Sequence, residues 1–260
     1  METLKTLLFK NGKLAETSQL YRLLRQDFTF HSSRIEGSTL TKEEHSILSA
    51  LNFKETDIKA IKSMFKDADE RKQNDAIENV GCIKLFDYVT ENFNVVLSHQ
   101  EIQRYQGILK NGSKLQEISP EQVGKYRKED VIVKNSSFDS TPYYKVYESM
   151  DNLLKNYQVR DVKNINDIAD FHCEFETIHP FRDGNGRIGR MIMFKQCLQT
   201  NVYPFIIDTI SRNQYLNALE IFNQKHTSQY LVECFVELQA VFKSKYIDYL
   251  SKNQSSEMPW

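Results

Sequence analysis

Residues 179–190 combine, within twelve positions, a titratable base, a metal ligand, a glycine-containing turn and two arginines. The base is His179, whose side chain has the unperturbed pKa closest to neutrality and therefore suits general-base chemistry. Asp183 supplies a hard oxygen of the kind that binds Mg²⁺ together with phosphate oxygens. Gly184, Asn185 and Gly186 can adopt left-handed conformations, in which backbone N–H groups converge into an anion-binding cradle. The segment therefore has the parts needed to hold a nucleotide's phosphates and to activate a hydroxyl against one of them.

A predicted amphipathic helix positions the base. Apolar residues upstream recur at three- and four-residue spacing: Ile168, Phe171, Phe175 and Ile178. Asn164 or Asn166 could cap the start of this helix. Because Pro180 disfavours helical geometry at the preceding residue, the helix should end near His179 and present the imidazole to a loop.

A second helix is predicted to begin near Gly186, where its free N–H groups and positive dipole end suit phosphate. Arg187 and Arg190 lie three residues apart on this helix, so they project from neighbouring positions. Their planar guanidinium groups match the geometry of phosphate oxygens. The buried side of the helix is predicted to comprise Ile188, Met191, Ile192 and Leu198, with Lys195 interrupting it.

The segment resembles the signature of the Fic (filamentation induced by cAMP) family, H-x-F-x-[D/E]-G-N-G-R-x-x-R. Every specified position matches: His179, Phe181, Asp183, Gly184, Asn185, Gly186, Arg187 and Arg190. Members of this family typically transfer AMP from ATP to a Ser, Thr or Tyr hydroxyl of a protein and release pyrophosphate. The resemblance implies a mainly α fold, a helical bundle with a small β-hairpin flap next to the active-site loop.

The same resemblance implies a role for each matched side chain. His179 would deprotonate the target hydroxyl, Phe181 would anchor the loop in the core, and Asp183 would bind Mg²⁺ that bridges the α- and β-phosphates of ATP. Asn185 and the glycine N–H groups would hold these two phosphates, and the two arginines would lie at the β/γ end.

A second segment, Ser32 to Gly37, resembles the inhibitory motif of the family, [S/T]-x-x-x-E-[G/N]. In those relatives the Glu pairs with the second arginine of the signature and blocks the place of the γ-phosphate; here the pair would be Glu36 and Arg190. An Arg–carboxylate pair competes directly with an Arg–phosphate pair, so productive ATP binding would require Glu36 to swing away. Ser38 follows, where related sequences often have Asn.

A third segment resembles the family's G-x-Y-R stretch and flap. Gly124 to Arg127 carries the stretch, and Val131–Val133 is the best strand candidate in the chain because it is β-branched and bounded by polar residues. In the family the flap docks the target by strand addition. The residues near 131–142 lack the double proline of many relatives, which leaves the boundaries of the flap open.

Downstream, Arg212 to Leu219 resembles the helix that lines the adenine pocket in the family. Tyr215 could lie against the base, and Asn217 could offer it a hydrogen bond. The alternative is that Tyr215, together with Leu216 and Leu219, belongs to the core of a helix.

The composition excludes several classes of function. The chain has 34 basic and 35 acidic residues among its 260, so nothing favours bulk electrostatic binding to nucleic acid. The four cysteines lack metal-ligand spacing and are typical of reduced thiols in a cytosolic protein. No signal peptide and no apolar run of membrane-spanning length is found in the sequence, so we expect a cytoplasmic protein without a membrane partner.

The sequence predicts a mostly helical chain in three parts. These are an N-terminal segment with the inhibitory motif (1–53), a catalytic domain (54–250) and a C-terminal tail (251–260). Helical composition extends over 54–93, 144–158, 214–224 and 228–250, and capping boxes are predicted at Thr41–Glu44 and Ser98–Glu101. The last helix and the end at Trp260 could pack on the core or on another subunit of a homo-oligomer.

Three hypotheses about function follow. The favoured one is a protein adenylyltransferase, self-inhibited by Glu36, that uses ATP and Mg²⁺ to modify a target protein or itself. The second is a phosphodiester hydrolase that removes AMP from modified protein and uses Glu36 to orient water. The third is a non-catalytic nucleotide-binding regulator or a toxin–antitoxin component.

Overall fold

The computed structural model describes residues 9–10, 13–14, 19–51, 58–111, 120–132, 139–160, 163–200 and 202–247. Their helices are α1 (Gln19–Ile35), α2 (Lys42–Ala50), α3 (Ile58–Met64), α4 (Glu70–Glu91), α5 (His99–Lys110), α6 (Val146–Gln158), α7 (Ile165–Ile178), α8 (Asn185–Gln199), α9 (Arg212–Lys225) and α10 (Gln229–Phe242). Short 3₁₀ turns at Pro120–Gln122 and Tyr143–Lys145 and a π-helical turn at Lys243–Ile247 complete the helical part. Two antiparallel strands of two residues each, β1 (Phe9–Lys10) and β2 (Lys13–Leu14), pair near the start of the chain.

Helix α8 lies at the centre of the fold and packs against α7, α4, α1 and α5. It is buried on nearly all sides, and the residues predicted for its buried face are all at most 3% exposed: Ile188, Met191, Ile192 and Leu198. Lys195 is buried as well, and its ammonium donates to the carbonyl of Asn92 at 2.8 Å. A buried lysine is tolerated there because it has an acceptor.

Three apolar clusters surround this helix. The main one lies between α1, α4, α5, α6, α7 and α8. A second fills the space between α7, α8, α9 and α10, and a third lies under α2, α3 and α4. Helix α1, which carries the motif with Glu36 at its end, thus belongs to the same core as the two helices that flank the signature.

Local capping explains where several helices begin. The Thr41 capping box is confirmed, because the Glu44 N–H donates to the Thr41 hydroxyl at 3.2 Å and the Thr41 N–H donates to the Glu44 carboxylate at 2.8 Å. At Ser98 the hydroxyl accepts from the Glu101 N–H at 3.3 Å, and the return bond is not found among the described residues. The helical composition predicted over 54–93 corresponds to two helices, because α3 ends at Met64 and Asp69 caps a new helix, α4.

The β-hairpin flap is not confirmed. Val131 and Ile132 are not in a strand, and residues 133–138 lie outside the described part of the chain. Side chains bridge the backbone here: the Ser140 hydroxyl donates to the Val131 carbonyl at 3.0 Å, and the Tyr143 N–H donates to the Asp130 carboxylate at 2.8 Å.

Further predictions concern the surface and the termini. The four cysteines are all free and buried. Within the described ranges, no helix has the length and apolar character needed to cross a membrane. Helix α10 packs on the core through Leu231 and Phe235, while the tail at 251–260 lies outside the described residues.

Capping of α7 gives a direct test of the fold. Asn164 is the N-cap, since its side chain accepts from the N–H groups of Asn166 at 2.8 Å and Asp167 at 3.4 Å. We expect Asn164→Ala to lower the free energy of unfolding by about 1 kcal/mol in urea titrations, because two N–H groups lose their acceptor. Asn166→Ala is the matched control and should change it by less than about 0.5 kcal/mol. Equal losses in the two variants would contradict the assigned cap.

Candidate active site

The base predicted from the sequence lies at the C-terminal end of α7. His179 is the C-cap of this helix and adopts a left-handed conformation with φ 51°. Its Nδ1 lies 3.3 Å from the carbonyl oxygen of Glu176, and a carbonyl can only accept, so Nδ1 carries the proton and Nε2 remains as the acceptor. Burial lowers the pKa of His179 from its ordinary value of 6.5, which keeps the ring neutral near pH 7.

Arg127 of the G-x-Y-R stretch holds the end of α7 in place. Its Nε donates to the His179 carbonyl at 2.8 Å, its Nη2 to the carbonyls of Ile178 and Thr141, and its own N–H to the Pro180 carbonyl at 2.9 Å. The last carbonyls of a helix have no intrahelical donor, so one buried guanidinium satisfies several of them. The sequence indicated the G-x-Y-R stretch but did not predict that Arg127 would bind the carbonyl groups at the end of α7.

The loop after His179 is fixed by Phe181 and Asn185. The Phe181 ring is fully buried and packs against Tyr126, with ring centroids 5.3 Å apart. The Asn185 amide accepts from the Phe181 N–H at 2.9 Å and donates to the Phe181 carbonyl at 2.7 Å. Asn185 therefore holds the loop closed in this state, whereas the sequence predicted a phosphate ligand.

Of the three residues predicted to form an anion cradle, Gly184 is left-handed, whereas Asn185 and Gly186 are the first residues of α8. Gly184 is the N-cap of α8 with φ 91°, a backbone conformation that residues with a side chain rarely adopt. The first N–H groups of the helix lack intrahelical acceptors and point towards the loop. They are the donors that an incoming phosphate would find.

Asp183 is one member of a closed ring of ion pairs. The ammonium of Lys110 pairs with Asp183 and also donates to Glu78 at 2.6 Å, while Arg187 pairs with Glu78 and lies 3.5 Å from Asp183. Burial raises the pKa of Asp183, but the charges of Lys110 and Arg187 outweigh it and lower the pKa to about 2. The sequence did not predict Lys110 and Glu78 as residues of this site.

Arg190 is held by the end of α1. Its Nε donates to the Ser32 hydroxyl at 3.0 Å, and its Nη2 donates to the Ser32 carbonyl at 2.9 Å and to Glu36 Oε1 at 2.6 Å. Burial raises the pKa of Glu36, but Arg190 and Arg187 outweigh it, and the net result is a pKa below the ordinary value. The sequence-predicted partners Glu36 and Arg190 are therefore in contact, and both are charged.

Two glycines make this contact geometrically feasible. Gly37, with φ 90°, ends α1: its N–H donates to Arg34 at 3.0 Å and the Ser38 N–H donates to Ser33 at 3.1 Å, which is the Schellman pattern. Gly186 provides the space, because a Cβ there would lie 2.3 Å from Glu36 Oε1.

Tyr215 lies beneath Arg190 in the core. It is 1% exposed, its hydroxyl is 2.8 Å from His172 Nε2, and the Arg190 guanidinium lies 5.9 Å from its ring centroid. Asn217, by contrast, is exposed. In this state the structure thus agrees with the core alternative for Tyr215 rather than with a base-stacking position.

The residues around Asp183 fit a Mg²⁺ ion that arrives with a nucleotide. Mg²⁺ in such sites uses one or two carboxylates and takes its other ligands from phosphates and water. Asp183 is ionised and its side chain is 33% exposed, and it lies directly before the anion cradle. No group of three or more His, Cys, Asp or Glu side chains suited to a metal occurs in the described ranges.

Comparison with known proteins identifies relatives of part of the chain. The profile of the Fic/DOC family matches residues 96–197. A probable protein adenylyltransferase from Aquifex aeolicus is 34% identical over 97 residues, covering 36% of this chain and 29% of that protein. Protein adenylyltransferase Fic from Drosophila grimshawi is 31% identical over 77 residues, covering 30% of this chain and 16% of that protein. Residues 96–197 thus match a Fic/DOC family domain, and the matches span less than a third of these relatives.

Solved structures show the same fold. A Fic-domain-containing signaling protein from Bacteroides thetaiotaomicron superposes with a TM-score of 0.63 at 18% identity, covering 95% of this chain and 93% of that chain. A fragment of Fic-1 from C. elegans with a Glu-to-Gly substitution gives a TM-score of 0.72 at 17% identity, covering 92% of this chain and 67% of that chain. At these identities the likeness establishes the Fic fold alone.

Glu176, buried under the site, gives a second test. Burial raises its pKa from 4.5 to about 8, so the folded protein keeps a proton that the unfolded chain loses above pH 4.5. Stability should therefore fall as the pH rises from about 4.5 to about 8, and Glu176→Gln should remove this dependence. The measured quantity is the free energy of unfolding of Glu176→Gln minus that of wild type. We expect this difference to be larger at about pH 7 than at about pH 4, by on the order of 2 kcal/mol. Urea unfolding at both pH values measures this, and an identical pH dependence in the two proteins would contradict a neutral Glu176.

Proposed function

We propose that this protein is an adenylyltransferase that transfers AMP from ATP to a hydroxyl of a protein and is inhibited by its own Glu36. The observation that carries the proposal is the convergence of His179, Asp183, the N-terminus of α8 and two buried arginines around one loop. The curated relatives named protein adenylyltransferase support the same reaction. Target, nucleotide and Mg²⁺ are part of the proposal, as is docking of the target near residues 131–142.

The proposed reaction is an in-line displacement at the α-phosphorus of ATP. His179 Nε2 takes the proton of the target's Ser, Thr or Tyr hydroxyl, the oxygen bonds to the α-phosphorus, and the bond to the β-phosphate oxygen breaks. AMP is left on the protein, and pyrophosphate leaves. The cradle at the start of α8 holds the phosphates, and Mg²⁺ held at Asp183 would neutralise their charge.

Inhibition follows from the occupied state of Arg190. Its guanidinium donates to Glu36 and twice to Ser32, so the N–H groups of Nε and Nη2 that would bind the terminal phosphate are occupied in this state. The Glu36 carboxylate adds a negative charge where the polyphosphate must enter. When Glu36 turns away, its bond to Arg190 and its negative charge leave the site, while the two bonds to Ser32 remain. The Glu36 side chain is already 39% exposed.

A specific observation also supports the hydrolase as a second function. Glu36 stays ionised in the site and lies partly open to solvent, so its carboxylate could orient a water molecule towards an AMP-modified side chain. Transfer and hydrolysis would then use the same site, and Glu36 would inhibit the first and serve the second.

Removal of Glu36 tests both functions. With α-labelled ATP, Mg²⁺ and cell lysate, we expect Glu36→Gly to transfer label at least about tenfold faster than wild type, because Arg190 is released. Glu36→Gln keeps the shape and should give a smaller gain, while Glu36→Gly combined with His179→Ala should give no transfer. Glu43→Gln, an exposed acid on α2, is the matched control and should behave as wild type.

The transferase proposal would be overturned if Glu36→Gly transferred label from none of the nucleoside triphosphates. Release of AMP from modified protein by wild type, lost in Glu36→Gln, would support the hydrolase.

The pH dependence of transfer tests the role of His179. Because burial lowers the pKa of His179 below 6.5, the base is already unprotonated near neutrality. The rate of the Glu36→Gly variant should be constant between about pH 7 and about pH 8 and should fall only in acid, with its midpoint below pH 6.5. A midpoint above this value would rule out His179, in its observed environment, as the base.

A further inference from the structure

The strongest unassigned feature of the site is the position of the Lys110 ammonium between two carboxylates. It donates to Glu78 Oε1 at 2.6 Å and pairs with Asp183 Oδ2. The lysine is 1% exposed although it is the last residue of α5. A buried ammonium between two carboxylates occupies the place in which a divalent cation would bind them.

The stem of Lys110 is fixed beneath the signature loop. A Cβ built on Gly184 would lie 2.8 Å from Leu109 Cδ2 and 3.6 Å from Lys110 Cε. The glycine backbone therefore closes over the end of α5, and the ammonium is held against Asp183. Burial among packed neighbours restricts the rotamers by which the side chain could withdraw.

We propose that Lys110 is a positioning residue whose ammonium occupies the cation-binding position between Glu78 and Asp183. Asp183 then does not bind a divalent cation in the absence of nucleotide. With Arg187, the two carboxylates and two cations form a ring without net charge. A divalent ion that enters this ring meets two positive groups at contact distance, and repulsion opposes it. Nucleotide phosphates supply the negative charge and the oxygen ligands that shift this balance, which makes metal binding depend on the nucleotide.

This inference rests on the proposed function only in taking Asp183 as the metal ligand. Its test can therefore be made without ATP and without catalysis. The probe is Mn²⁺, which prefers the same oxygen ligands as Mg²⁺, and free Mn²⁺ is read from its EPR signal during titration of the full chain.

Removal of the ammonium should open a metal site. We expect Lys110→Met to bind Mn²⁺ at least about tenfold more tightly than wild type in the absence of nucleotide, because the ammonium between Glu78 and Asp183 is then gone and two carboxylates face Arg187 alone. Lys110→Arg keeps the charge and should bind as weakly as wild type. Lys195→Met, which removes another buried lysine whose partner is a neutral carbonyl, is the matched control and should leave Mn²⁺ binding unchanged.

The second carboxylate provides an internal check. Lys110→Met combined with Glu78→Gln should lose the gain in Mn²⁺ affinity, and circular dichroism verifies that each variant is folded. Lys110→Gln, which can still donate to Glu78, gives the same comparison if the Met variant does not fold. A folded Lys110→Met or Lys110→Gln protein with wild-type Mn²⁺ affinity would overturn the inference. Failure of label transfer by Glu36→Gly would instead affect the proposed function and leave the Mn²⁺ result standing.

Discussion

Helix α8 carries buried positive charge, and the helices around the site must supply partners for it. Arg187 and Arg190 are at most 5% exposed, at the start of the most enclosed helix of the fold. A buried guanidinium without a partner would cost several kcal/mol, and two neighbouring helices contribute oxygens to the arginines. Glu78 comes from α4, and Ser32 and Glu36 come from α1 and its cap. The packing of α1 and α4 on α8 and the chemistry of the site thus depend on the same contacts.

This pairing has a consequence for ligand binding. Three cations of the site face three carboxylates: Lys110, Arg187 and Arg190 against Glu36, Glu78 and Asp183. A polyphosphate therefore meets a neutral site and gains little Coulomb energy while all pairs are intact. Of the three carboxylates, Glu36 has the most exposed side chain, at 39%, compared with 33% for Asp183 and 12% for Glu78. Its departure leaves the site with a net charge of +1.

The sequence predicts the parts of this site that are local. The helix ending at His179, the turn at Gly184 and the buried face of α8 follow from spacing, proline and glycine within a few residues, and the structure has all three. Lys110 and Glu78 lie 73 and 105 positions before Asp183, on other helices, where a charged residue normally indicates a solvated face. Only the tertiary packing of α4 and α5 on α8 places them at the site. The hydrogen bonds of Asn185 to the loop were missed for a similar reason, since an amide can serve backbone or phosphate equally well.

The position of Glu36 at the end of α1 favours reversibility of the proposed inhibitory contact. A carboxylate at a helix C-terminus faces the negative end of the helix dipole, which disfavours it by roughly 0.3–1 kcal/mol. The ion pair with Arg190 therefore holds Glu36 in place against the local preference of its own helix. The backbone of this helix end is secured separately, by Gly37 and by Arg212, whose Nε donates to the Ile35 carbonyl at 3.0 Å. Competition for Arg190 by a phosphate can consequently release the side chain of Glu36 while α1 remains folded.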